Sequence, residues 1–200
     1  MAVPALKLST WGDLDALGPD ARSELIDGVI VEKAAGEGEH GTVQSGVNGL
    51  LFPSFSRRGG GGQPGGWWFQ TETDIAFGDL LRLRPDIAGW RRERVPENPR
   101  GFPVREIPDW VCEVLSTSTA HRDLGRKREV YHAAKVGHYW LVDPQARVLT
   151  VLRWAPDGYL VAQAAGQAEA IRAEPFEAVR LFVGVLFGAD PDDAPPESTP

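Results

Sequence analysis

The sequence predicts one domain of the α/β or α+β class, with helices before and after a mixed sheet. Three observations carry that expectation. DWVCEVLS (109–116) is a near-continuous apolar run, the pattern of a strand covered on both faces. SELIDGVIVEK (23–33) holds an Asp27-Gly28 pair between two apolar stretches, a strong short-range hairpin signal. From His40 to Phe55, Val43, Val47, Leu50 and Leu51 recur at helical spacing, although Gly46 and Gly49 weaken the pattern. Two hundred residues, 42% hydrophobic and 24% charged, suit one ordinary core.

The elements follow in order. Ser9 or Thr10 caps a short first helix through Leu17, with Asp13 in its first turn. The hairpin and the 40–55 helix come next, then a glycine-rich loop, RRGGGGQPGG (57–66). That loop lacks the Gly-Lys-Ser/Thr ending of a phosphate-binding P-loop and receives no nucleotide role. WWFQTETDIAF (67–77) reads as one strand, followed by a turn and the RPDIAGW strand (84–90). Residues 91–108, rich in Pro and Arg, read as irregular. After DWVCEVLS, Ser118 or Thr119 caps a helix that Gly137 ends. HYWLVD (138–143) and ARVLTVLRW (146–154) are strands joined at Pro144-Gln145, and Asp157-Gly158 marks a further hairpin. FEAVRLFVGVLF (176–187) is packed, as helix or strand. The expected domain therefore spans 1–187, with 188–200 a disordered acidic tail.

Composition excludes several classes. A single cysteine, Cys112, rules out a disulfide framework or a multi-cysteine zinc site. No signal pattern opens the chain and no apolar run approaches the roughly 18 residues of a membrane span, so a cytoplasmic protein away from membranes is expected. The net charge of −7 argues against nucleic-acid binding by bulk electrostatics. Its distribution is uneven. Residues 82–105 carry seven arginines against three acids, a local +4 in an otherwise acidic chain. That suits a polyanion held locally, as it would a solvated arginine loop.

The chemistry gathers in 84–131. Asp86 and Glu113 each sit on a short apolar run, and a hard divalent cation such as Mg²⁺ takes one or two carboxylates plus water and phosphate oxygens. Asp86 also reads as a plain turn residue. Glu113, flanked by Val111, Cys112, Val114 and Leu115, is costly to bury unless paired or metal-bound, although strand alternation could expose it. In RDLGRKREVY (122–131), steps of three and four place Leu124, Lys127, Tyr131 and Ala134 on one face, turning Lys127 toward the sheet. The alternative is a surface pair between Asp123 and Lys127. Cys112 precedes Glu113, points to the opposite face and reads as a core thiol.

Taken together, RPDIAGW, WVCEVLSTST, RDLGRKREVY and VGHYWLVDP closely resemble the Uma-type restriction endonuclease family of the PD-(D/E)XK nuclease superfamily, over about residues 8–155. The resemblance implies a restriction-endonuclease-like core and a nuclease that hydrolyses DNA with Mg²⁺ or Mn²⁺, often as a homodimer. Asp86, Glu113 and the backbone carbonyl of Val114 would then hold the metal. Leu115 stands where the superfamily lysine normally falls, and Lys127 on the next helix is the natural substitute. By the same resemblance Glu24 becomes a second-metal or water-holding acid and His40 an outer active-site residue; the residues alone make them a surface strand residue and a helix-start residue. The usual proline after Glu-Val-Leu-Ser is Thr117 here. The rival reading is a non-catalytic DNA- or protein-binding module that keeps the fold. A carboxylate-pair glycosidase ranks last, because it leaves Lys127 unexplained.

Overall fold

The computed structural model describes residues 7–18, 21–33, 38–59 and 62–197. Two expectations therefore fall partly outside the described residues: the chain start (1–6) and the tail end (198–200). So do two positions of the glycine-rich loop (60–61), which closes where Gly66 N donates to Arg57 O at 2.7 Å.

The first helix, α1 (Trp11–Asp15), begins with a capping box: Thr10 N donates to Asp13 Oδ2 at 2.8 Å, and Asp13 N donates to Thr10 Oγ1 at 3.3 Å. The hairpin of β1 (Ser23–Ile26) and β2 (Val29–Glu32) turns on Asp27 and Gly28, at φ 52° and 75°. Positive φ at both central residues gives the primed twist that matches paired strands, which is why Asp-Gly marks the turn. Helix α2 (Gly38–Phe55) buries Val43, Val47, Leu51 and Phe55 on one stripe. Gly46 is not a defect in it. A Cβ there would stand 2.9 Å from Leu186 Cα and Val185 O, so its absence lets the C-terminal segment lie against the helix.

The expected strand 67–77 is two strands in two sheets. Strand β3 (Trp67–Thr71) ends where Glu72 takes a left-handed φ of 49°, and β4 (Ile75–Gly78) starts anew. The polar run Thr71–Asp74 breaks the apolar alternation, and Glu72 N donates to Asp86 O at 3.2 Å, one last bond in the β3–β6 register before the chain turns away. Strand β5 (Leu81–Leu83), read from sequence as turn, pairs with β4 and β1 to give a four-stranded sheet ordered β2-β1-β5-β4.

The larger sheet adds β6 (Ile87–Arg91), β7 (Trp110–Val114), β8 (His138–Asp143), β9 (Val148–Ala155) and β10 (Gly158–Gly166) in the order β10-β9-β8-β7-β6-β3. It is mixed: β7 and β8 run parallel and the other pairs antiparallel. A parallel pair needs a crossover, and residues 115–137 supply it with a helix. Every residue of β7 is buried, as its apolar run implies. Helix α2 and the C-terminal segment cover the sheet face that carries Trp110, Cys112 and Trp140. The small sheet and the crossover helix cover the face that carries Ala88, Trp90, Val111 and Tyr139. Cys112 is a core thiol, and burial pushes it well up from the ordinary thiol range.

The crossover helix departs from expectation in three ways. It is wound as α3 (Ala120–Arg122), a π-helical turn (Asp123–Lys127) and α4 (Arg128–Ala133). The extra residue in the π turn rotates the face, so Asp123 points inward with Lys127 and Tyr131 while Leu124 is 48% exposed. Its start is closed by Ser116, whose Oγ accepts from Thr119 N at 3.3 Å, and it stops before Lys135, at φ 61°, rather than at Gly137. Near the C-terminus, β11 (Ala170–Ile171) pairs with β12 (Leu181–Phe182), and a 3-10 turn (Val183–Phe187) follows, so 176–187 holds both strand and helix. Part of the expected disordered tail is ordered: Pro191–Asp193 is one 3-10 turn capped by Asp190, and Arg172 reaches Glu197 at 3.1 Å.

Candidate active site

Strands β6 and β7 pair Ile87 with Cys112, so the next residues outward, Asp86 and Glu113, face each other across the two strands. Both are buried, at 1% exposure. Val114 N donates to Asp86 Oδ2 at 2.6 Å, which fixes that carboxylate against the end of β7. His40, in the first turn of α2, places Nε2 3.1 Å from Asp86 Oδ1. Lys33, just past β2, sets Nζ 2.7 Å from the same Oδ1, 2.8 Å from Glu72 Oε2 and 2.8 Å from the carbonyl of Arg84. Gln44 Nε2 holds the other oxygen of Glu72 at 2.9 Å.

A second cluster adjoins the first. Lys127 Nζ lies 3.0 Å from Glu113 Oε1, 3.1 Å from Glu24 Oε1 and 3.2 Å from Asp123 Oδ1. Its three protons thus face three carboxylates. Tyr131 OH donates to Glu113 Oε1 at 2.6 Å, and Arg84 N donates to Glu24 Oε1 at 2.8 Å. The surface Asp123–Lys127 pair weighed from sequence exists, but buried, at 3% exposure for each residue.

Three acids share one ammonium, so they do not all ionise alike. Burial pushes the Glu113 carboxyl up to about 8, helped by Asp123 and Asp86 and only partly countered by Lys127. Burial raises Asp123 as well, against the pull of Lys127. For Asp86, burial alone would act upward, but the His40 hydrogen bond and the Lys33 charge outweigh it and hold the carboxyl well below the usual range. Burial opposes the charge on Lys127, yet Glu113, Glu24 and Asp123 more than offset it, so the ammonium persists far above its ordinary range. The fold thus drives two neighbouring acids apart, drawing Asp86 down and pushing Glu113 up. Divergence of two neighbouring acids is a recurrent mark of functional sites.

Structure thus brings together five of the sequence-derived side chains, Glu24, His40, Asp86, Glu113 and Lys127, around a cavity of about 20 Å³, room for about one water. Val114 lines the same cavity and meets Asp86 through its N–H. Among the described residues the set that could hold a metal is His40, Glu72 and Asp86, with ligand atoms within 4.8 Å of one another. The carboxylates of Glu72 and Asp86 are donors of the type a hard divalent cation takes, and the His40 imidazole is of the type that Zn²⁺ or Fe²⁺ takes. Sequence reasoning missed Lys33, Glu72, Asp123 and Tyr131. Tyr131 carried a usable signal, since it shares the stripe of Lys127, and so did Asp123 through its i,i+4 spacing to Lys127, read there as a surface pair.

The arginine segment divides. Arg82 and Arg84 are committed to buried Asp74, with Arg82 Nε at 3.0 Å and Arg84 Nε at 2.5 Å, and Arg82 also reaches Asp15. Arg91, Arg92 and Arg100 instead join Arg58 and Trp68 around a cleft of about 960 Å³, where Arg92 stacks 3.5 Å above the Trp68 ring. The cleft opens at the Trp67–Arg91 end of the β3–β6 pair, and the acids lie at its Thr71–Ile87 end, roughly 13 Å along the strands.

A mixed sheet between helices, with buried acids meeting two lysines at a strand end, defines a nuclease-like α+β protein. The family whose profile matches residues 11–183, Uma2, is described as "Putative restriction endonuclease", and the chain belongs to it. Among solved structures it is similar to a "putative nuclease belonging to DUF820" from Anabaena variabilis. The TM-score is 0.68 at 21% identity, covering 89% of this chain and 97% of that one, which speaks for the shared fold. No curated protein matches the chain.

Proposed function

We propose that the protein is a metal-dependent endonuclease of the PD-(D/E)XK type that hydrolyses DNA phosphodiester bonds. The observation that carries the reading is the cross-strand pair of buried acids, Asp86 and Glu113, with Lys127 3.0 Å from Glu113. Asp86 belongs both to the set expected from sequence, with Glu113 and the Val114 carbonyl, and to the set gathered in space, with Glu72 and His40. Metal binding is therefore staked on Asp86. When bound, Mg²⁺ or Mn²⁺ supplies a water of lowered pKa and a charge that stabilises the phosphorane.

The remaining work falls to the chain. Lys127, its protons turned to three acids, offers fixed positive charge near the scissile phosphate. Glu113, whose carboxyl burial pushes up to about 8, is placed to exchange a proton with a reacting oxygen. The arginine cleft at the far end of the β3–β6 pair, where Arg58, Arg91, Arg92 and Arg100 outnumber Glu93 and Glu97, offers a local basic surface to further phosphates despite the net charge of −7. Two such sites in a homodimer would cut both strands.

The decisive experiment incubates the full chain with Mg²⁺ or Mn²⁺ and single-stranded, linear duplex and supercoiled DNA, beside Asp86→Asn. Cleavage by wild type that falls to background in the variant supports the reading. Intact DNA in every form, or equal cutting by the variant, refutes it. The arginine cleft favours one second reading, a DNA binder without turnover; that protein would retain DNA without needing a divalent ion.

A further inference from the structure

Lys33 is only 7% exposed, and its ammonium is enclosed by oxygens: Asp86 Oδ1 at 2.7 Å, Glu72 Oε2 at 2.8 Å and the Arg84 carbonyl at 2.8 Å. A cradle of two carboxylates and a carbonyl is what a hard cation takes. Here it already holds one, and two of the three residues able to bind a metal supply it.

The other oxygens of those carboxylates are engaged. Asp86 Oδ2 accepts from Val114 N at 2.6 Å, and Glu72 Oε1 accepts from Gln44 Nε2 at 2.9 Å. Neither carboxylate can turn a free oxygen inward without breaking an anchoring bond. Lys33 shares the inward lone pairs of Asp86 Oδ1 with the His40 ring, and an ammonium and a divalent ion on one buried oxygen repel strongly. The four-carbon stem of a lysine lets the ammonium leave while the strand stays in place.

We propose that Lys33 is an internal counter-ion that occupies the divalent-cation seat, and that a metal ion enters only by displacing its ammonium. The inference rests on the metal-dependent reading of the site. Metal-free protein is then charge-balanced and ordered, and metal affinity is set by the competition.

The test uses the full chain without DNA. Mn²⁺ is titrated into wild type, Lys33→Met and Lys33→Gln, with free Mn²⁺ followed by electron paramagnetic resonance and folding checked by thermal melts. Both variants should bind Mn²⁺ about tenfold or more tightly than wild type. In parallel, lysine acylation of wild type is read by mass spectrometry, with exposed Lys7 and Lys135 as internal standards. Lys33 should become reactive only as Mn²⁺ or Mg²⁺ saturates. Equal affinities, no binding by any of the three, or Lys33 reactivity indifferent to metal each overturn the proposal. If neither variant folds, the acylation of wild type decides alone. Cleavage is scored separately. Lys33-dependent metal binding without cleavage sinks the nuclease reading and keeps this one; cleavage with equal affinities does the reverse.

Discussion

Replacing Glu113 by glutamine should change how stability depends on pH while leaving the fold in place. Glutamine keeps an oxygen for Lys127 and Tyr131, which lie 3.0 and 2.6 Å from Glu113 Oε1, but it carries no titrating proton. In wild type the carboxyl titrates near 4.5 when unfolded and at about 8 when folded. The acid's pKa is raised, so its contribution is fully present below about 4.5, declines as pH rises and is gone by about 8. Between those values the folded chain holds one proton that the unfolded chain has released, which costs at most about 1.4 kcal/mol per pH unit. From pH 5 to 8 that amounts to roughly 3 kcal/mol, a large part of the 5–15 kcal/mol typical of a domain. Asp86 does not confuse the window. Its pKa is lowered, so its contribution is present above about 3.8 and is lost only as pH falls below that. His138, lowered by burial, favours folding as pH rises, and Asp123, raised by burial, acts with Glu113; comparison with the variant sets both aside to first order. Urea unfolding at pH 5, 6, 7 and 8 gives the two slopes. Glu113→Gln should fall less steeply than wild type by about one proton. Parallel curves, or a wild type that gains stability over the variant toward pH 8, would show that Glu113 is ionised in the fold and that the acid division drawn here is wrong.

Two further predictions concern stability. Among the described residues, Asp74→Ala leaves Arg82, 2% exposed, with the half-exposed Asp15 as its carboxylate partner and removes the carboxylate that Arg84 meets. A loss of about 3 kcal/mol in urea unfolding is expected, and a loss below about 1 kcal/mol would mean that the buried cluster is not an energetic unit. Gly46→Ala and Gly49→Ala should have opposite signs although both lie in α2. The first drives a methyl to 2.9 Å from Leu186 Cα and should cost about 1–2 kcal/mol, and the second meets nothing within 4 Å and should gain up to about 1 kcal/mol. Equal shifts in melting temperature would contradict the packing described for the C-terminal segment.

Features set by neighbours in the chain could be read from the sequence. The Asp27-Gly28 hairpin, the Thr10 cap and the buried strand Trp110–Val114 each rest on a few consecutive residues with one preferred conformation. The strand expected over 67–77 failed because its alternation is interrupted by Glu72 and Asp74, whose partners lie in other elements. The same reason hid half of the site. Asp86, Glu113 and Lys127 announced themselves as charges in apolar or amphipathic runs. Glu72 meets Asp86 across the β3–β6 pairing and Lys33 reaches it only because the small sheet packs over β6, contacts with no local trace in the sequence. The π turn was equally hidden, since the 3.6-residue period that pointed to Lys127 cannot foresee an added residue.

The bond from Val114 N to Asp86 Oδ2 is a rung of the sheet supplied by a side chain. Sliding β6 against β7 by one residue would turn Asp86 to the other face and leave that rung unmade. Strand alignment and assembly of the site are therefore one event in folding. A chain that zips the central sheet correctly has already aligned its two acids, and a misaligned chain forfeits a buried hydrogen bond as well as the acid pair. The carboxylate on which metal binding is staked also acts as a proofreader of the fold that carries it.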